Sequence, residues 1–132
     1  MEEIFEFIKK CGTYYLATVE NGKPKNRPFG TVNIFEGKLY IQTGKSKPVS
    51  KQIQENPFVE ICCFDGEKWL RLEGKLVRDE RTAAKKDMLD HYPELRSMYD
   101  ENDENTEVLY FESGSVTAVL ASFTEPPKTV KF

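Results

Sequence analysis

Residues 13–48 read TYYLATVENGKPKNRPFGTVNIFEGKLYIQTGKSKP. The first eight are β-branched and aromatic, a composition that suits a pleated, half-buried strand. Asn21-Gly22 follows, the pair that best supplies the two left-handed residues of a tight hairpin turn. A second strand is expected over 24–35, then a Glu36-Gly37 turn, then a third strand over 38–43. Strands joined by turns this short are antiparallel neighbours, because a parallel pair needs a crossover of roughly a dozen residues. A doubly wound parallel sheet, which requires regular strand–helix alternation, is thereby excluded.

The rest of the chain extends the same pattern. Ile4, Phe5, Ile8 and Cys11 recur at helical spacing among Glu2, Glu3, Lys9 and Lys10, giving an amphipathic helix over 2–11 that Gly12 stops. After the third strand, Ser46 is expected to cap a helix with Pro48 in its first turn, running to Glu55 and ended by Asn56-Pro57. Strands are expected over 58–64 and 68–78, joined at Asp65-Gly66. A helix follows over 79–91, with a short second one over 93–99. The acidic stretch 100–107 is a loop. Strands over 107–112 and 115–123 close the pattern, and Glu125 onward is read as a tail. This is a mainly β protein: a small antiparallel β-barrel of six or seven strands with peripheral helices, formed by residues 1–132 as one domain.

Composition narrows the function classes. The chain has 132 residues, with 19 Lys+Arg against 22 Asp+Glu, a net charge of −3 that disfavours general nucleic-acid binding. Every apolar run is broken by charge well before the ~20 residues a membrane-crossing helix needs. The acidic, helical start is unlike a secretory leader, so the protein is expected in the cytoplasm. Cys11, Cys62 and Cys63 cannot all pair internally, and Cys62 and Cys63 point to opposite faces of their strand. With one histidine, His91, and no CxxC spacing, a Cys/His zinc site lacks ligands, and no metal is expected.

One cluster can carry chemistry. Arg27 lies in the second strand, Thr43 ends the third, and Lys45, Ser46, Lys47, Ser50 and Lys51 surround a helix start. A helix N-terminus attracts anions through free N–H groups and its dipole, and Lys and Arg add full charge. Any one of these lysines fits a solvated surface. As a set beside Arg27 they point to a phosphate site.

The ordered set Leu16-Ala17-Thr18-Val19, Gly22-Lys23-Pro24, Arg27-Pro28-Phe29-Gly30, Leu39-Tyr40-Ile41-Gln42-Thr43, Lys47, Lys51, Gln52-Ile53, Asn56-Pro57 and Leu70-Arg71-Leu72-Glu73-Gly74-Lys75 resembles the split barrel of the pyridoxamine 5'-phosphate oxidase-like family. The resemblance is closest to its short bacterial branch, which includes the nitroimidazole-resistance reductases. It implies a homodimer with flavin mononucleotide (FMN) in the clefts between subunits. By that resemblance Arg27, Pro28, Phe29 and Gly30 contact the flavin ring and ribityl chain, and Gln42 and Thr43 sit near ring and phosphate. Lys47, Ser50 and Lys51 hold the phosphate, and Trp69 and Arg71 approach the flavin from their strand. Trp69 fits a core or dimer-interface aromatic equally well, and Arg71 an exposed strand residue. Two departures stand out. Pro48-Val49 occupies the place of the oxidase's Arg-Lys pair. The oxidase's C-terminal substrate-binding segment has no counterpart here, so vitamin interconversion is not expected.

The implied function is FMN-dependent oxidation or reduction of a small molecule, a nitro compound or quinone among the candidates, with a nicotinamide as possible electron donor. The alternatives are a flavin carrier or sensor without turnover, a haem- or deazaflavin-binding barrel, and a barrel that binds single-stranded nucleic acid. Haem would want an axial His or Cys.

Overall fold

The computed structural model describes all of residues 1–132. Helix α1 (Glu2–Cys11) precedes strands β1 (Tyr14–Glu20), β2 (Lys23–Phe29), β3 (Asn33–Phe35) and β4 (Lys38–Gly44). Helix α2 (Pro48–Glu55) follows, then β5 (Phe58–Phe64), β6 (Lys68–Asp79) and α3 (Thr82–His91). A 3-10 helix (Pro93–Ser97) leads to β7 (Thr106–Phe111), β8 (Thr117–Ser122) and β9 (Lys128–Lys131).

The turns do what their sequences require. Asn21 and Gly22 take φ of 52° and 74°, and Glu36 and Gly37 take 50° and 75°, so each turn has two left-handed central residues and joins its strands as a hairpin. The resulting path is β2-β1-β5-β6-β7-β4-β3, with β8 on β6 and β9 on β8, and every pairing is antiparallel.

β6 is the strand that splits the barrel. One edge pairs with β5. The other pairs with β8 through Glu73 and then with β7 from Leu76 onward. At this fork Gly74 lies so close to its neighbours that an added Cβ would stand 2.8 Å from Phe111 and 3.1 Å from Val116. The Ser115 hydroxyl accepts from the Lys75 N–H at 3.1 Å and stitches the fork. Inside, Leu16, Ile61, Leu72 and Ala118 form one buried row across β1, β5, β6 and β8. Ile4 and Ile8 of α1 and Val49 and Ile53 of α2 close the two helix-covered sides of the same core.

The fold class is as the sequence indicates, with nine strands in place of six or seven. The run 24–35 is interrupted at Gly30–Val32, because side chains replace ladder bonds there. The Gln42 N–H donates to Thr31 Oγ1 at 3.1 Å, Tyr14 donates to the Thr31 carbonyl at 2.6 Å, and Tyr92 both accepts from the Val32 N–H and donates to its carbonyl. The tail also contributes a strand, since Lys128–Lys131 pairs with β8. Two smaller expectations are corrected. Ser46 does not cap α2: Lys47 stands at the N-cap position without a side-chain cap, and the Ser46 N–H donates to Asn105 Oδ1. The short second helix is a 3-10 turn of 5 residues. No helix is long and apolar enough to cross a membrane, and no group of three or more His, Cys, Asp or Glu residues could hold a metal ion.

Candidate functional site

The interruption between β2 and β3 builds the site. Thr31, locked to Gln42, draws the end of β2 alongside the end of β4. Tyr14 holds this arrangement from inside the core, where burial pushes its phenol well above its ordinary range and keeps it a hydrogen-bond donor. Between the two strand ends and the segment after α3 lies a cavity of about 440 Å³. One wall is Arg27, Pro28, Phe29, Gly30, Thr31, Gln42, Thr43, Lys47 and Val49, and the other comes from residues 92–99.

Two cations face this cavity and are held differently. The Arg27 guanidinium folds back on the barrel, donating to the Leu16 carbonyl at 3.0 Å, to Thr18 Oγ1 at 2.8 Å and to Gln52 Oε1 at 2.6 Å. Burial lowers its pKa, opposed by Glu20, which hydrogen-bonds Gln52 Nε2. Lys47 is exposed and has no carboxylate within ion-pairing distance. At the start of α2 the backbone donors are largely used. Lys47 N–H goes to the Gly44 carbonyl, Ser50 N–H to the Lys47 carbonyl, and Pro48 has none. The Val49 N–H is left without a partner where Val49 lines the cavity. A free amide beside an unpaired lysine is a fitting anion site.

Of the eleven residues the sequence points to, seven meet here: Arg27, Pro28, Phe29, Gly30, Gln42, Thr43 and Lys47. Ser50 does not reach the cavity lining. It is buried under α2, where Arg78 donates to its hydroxyl at 3.3 Å while pairing with the fully buried Glu107. Lys51 is exposed on α2, away from the cavity lining. Trp69 and Arg71 lie on the outer face of β6. Arg71 is in a row with Tyr15, Cys62 and Val119, and Trp69 stands opposite Phe64 with its ring 4.9 Å from that of Phe123. The sequence reading missed Thr31, Val49, Tyr92, Glu94, Leu95, Met98 and Tyr99. The Tyr92-Pro93 pair, a break at the end of a helix, is the one local signal that chain returns to the barrel there.

A second, open groove of about 450 Å³ lies on the outer sheet face, with Glu60 directly opposite Glu73. Two like charges and no cation make it a poor place for a phosphate.

Comparison with known proteins supports the barrel and identifies its family. The family model for pyridoxamine 5'-phosphate oxidase matches residues 1–122. A NimC/NimA family protein from Clostridium acetobutylicum is 38% identical with a TM-score of 0.95, over 100% of this chain and 92% of that one. A pyridoxamine 5'-phosphate oxidase-related, FMN-binding protein from Nostoc punctiforme is 16% identical with a TM-score of 0.63, over 98% and 92% of the two chains. A haem-binding protein from Mycobacterium smegmatis is 13% identical with a TM-score of 0.70, over 94% of this chain and 57% of that one. The last two share the fold. No curated protein matches the chain.

Proposed function

The chain belongs to the pyridoxamine 5'-phosphate oxidase family, and on that premise we propose that it binds FMN in the cavity between β2, β4 and residues 92–99 and oxidises or reduces a small molecule there. The observation that carries this reading is the pairing of unpaired Lys47 with the free Val49 N–H at one end of a cavity whose wall is an edge strand. A phosphate suits that end. β2 terminates the sheet path, so its outer edge has backbone N–H and C=O groups that no strand pairs. They can meet the polar edge of a flat ring, as an added strand would. Arg27, fixed by three hydrogen bonds, brings positive charge beside that edge without being free to swing away. Thr43 and Gln42 flank the same space, and Gln42 is held by its own bond to the Thr43 carbonyl.

When bound, the flavin supplies the redox chemistry, and the protein supplies position and charge. The family likeness and the FMN-binding relative of the same fold support the cofactor. A haem is less well served, since no His or Cys lines the cavity to act as axial ligand.

The assembly proposed is a homodimer. Tyr15, Phe58 and Phe64 are 48%, 64% and 57% exposed on the outer face of β1 and β5, beside Trp69. Three exposed aromatic rings on one sheet face, among Glu60, Arg71 and Glu73, suit burial against a second copy. Trp69 and Arg71 stand on it, so a flavin at the boundary between two copies is the arrangement in which they and the cavity residues share one ligand. Three free thiols suit the reducing cytoplasm. The test of turnover is anaerobic. A nicotinamide donor should bleach the reconstituted protein, and an added nitroaromatic or quinone should restore its colour over many cycles. A protein that holds FMN but neither bleaches nor recovers is a carrier or sensor.

A further inference from the structure

The cavity has two unlike ends. Arg27 and Lys47 lie on the strand side. Across from them is a wall of Tyr92, Glu94, Leu95, Met98 and Tyr99 whose one charge is a carboxylate. That wall is firmly placed. The Tyr92 hydroxyl bridges the Val32 N–H and carbonyl at 3.1 and 3.0 Å. Tyr99 packs so closely over Gly44 that a Cβ there would come within 3.1 Å of its ring and hydroxyl. Met98 is 69% exposed at the rim, a pliable apolar surface suited to flat rings.

The one Lys or Arg of residues 92–99 is committed, and Lys9, which stacks over the Tyr92 ring at 5.5 Å, does not line the cavity. Arg96 pairs with Asp90 and Glu101, both at 2.7 Å. His91 turns to Asp87 and Asn33. Glu94 alone has no ion pair or side-chain hydrogen bond. On the flavin reading of the cavity, the phosphate occupies the Lys47 end, and nothing on the 92–99 wall remains to neutralise a second anion.

We propose that Glu94 sets the charge preference of the substrate compartment. The wall accepts a flat cationic or neutral ring and turns away carboxylated or phosphorylated ones, and Glu94 is the specificity-determining residue. Glu94 is exposed, so its attraction is that of a surface charge pair, and discrimination of about fivefold between a cation and an anion is expected.

The test is calorimetric titration of the FMN-loaded protein with 1-methylnicotinamide and with nicotinate, a cation and an anion on the same ring. The cation should bind about fivefold or more tightly. The preference should disappear in Glu94→Gln and invert in Glu94→Lys, with melting temperature unchanged, because the Glu94 side chain holds nothing in place. Equal binding of the two probes by the wild type, or an undiminished preference in Glu94→Gln, overturns the assignment. Retention of flavin, read from visible absorbance in the same samples, reports on the cofactor separately. Probe preference without retained flavin overturns the cofactor reading alone, and retained flavin without preference overturns the role of Glu94 alone.

Discussion

Lys47 and Arg27 bring the same charge to the cavity, but removing them should have different consequences. Lys47 is exposed and unpaired, so Lys47→Ala should weaken FMN binding about tenfold while leaving the melting temperature unchanged. Arg27 ties β2 to β1 and α2, so Arg27→Ala should lose flavin affinity and also cost on the order of 1–3 kcal/mol of stability, measured by denaturant unfolding. Lys51→Ala should alter FMN affinity much less than Lys47→Ala, because Lys51 does not line the cavity. Residue types alone grouped Arg27, Thr43 and Lys47, the family resemblance added Gln42, and all four line the cavity. Neither shows which way α2 is turned. Ser50 and Lys51 follow one another on that helix, and its rotation buries one against Arg78 and turns the other to solvent.

The elements show where local reading fails. Pro28 and Gly30 weaken the β pattern of residues 24–35 without placing its break. The break at Thr31 is imposed by Tyr14, Gln42 and Tyr92, which lie 17, 11 and 60 residues away from the groups they hold. The hairpins, by contrast, were legible, because Asn21-Gly22 and Glu36-Gly37 carry their turn geometry locally. At the fork of β6, Gly74→Ala should destabilise the protein by about 1–3 kcal/mol, since Phe111 and Val116 leave no room for a methyl group. The end of β6 carries a pH dependence. Burial raises the Asp79 carboxyl, but hydrogen bonds from Arg81 and Tyr40 outweigh it and hold the group at about 2. A depressed carboxylate contributes stability that is complete above its unfolded value of 3.8 and is lost as pH falls towards about 2. That contribution is on the order of 2 kcal/mol. Thermal melts from pH 5 downward should show it in the wild type and show much less of it in Arg81→Ala.

At the scale of the whole molecule, alternation along β1, β5 and β6 sends Leu16, Ile61 and Leu72 inward and Tyr15, Cys62 and Arg71 outward. The sequence shows this alternation clearly. It does not show that this outward row shares one mixed face with Phe58, Phe64, Trp69 and the Glu60–Glu73 pair, because that depends on strand pairing. Sedimentation should give twice the chain mass, and Phe64→Glu should give the monomer, with flavin binding falling alongside if the cofactor lies between copies. The site reading stands or falls on the cofactor. The most direct measurement is the absorption spectrum of the purified protein after incubation with FMN and removal of the excess. About one flavin per chain should remain, with its visible bands shifted from those of free FMN. A protein that emerges colourless, while folded and dimeric, would contradict the assignment of this cavity to FMN.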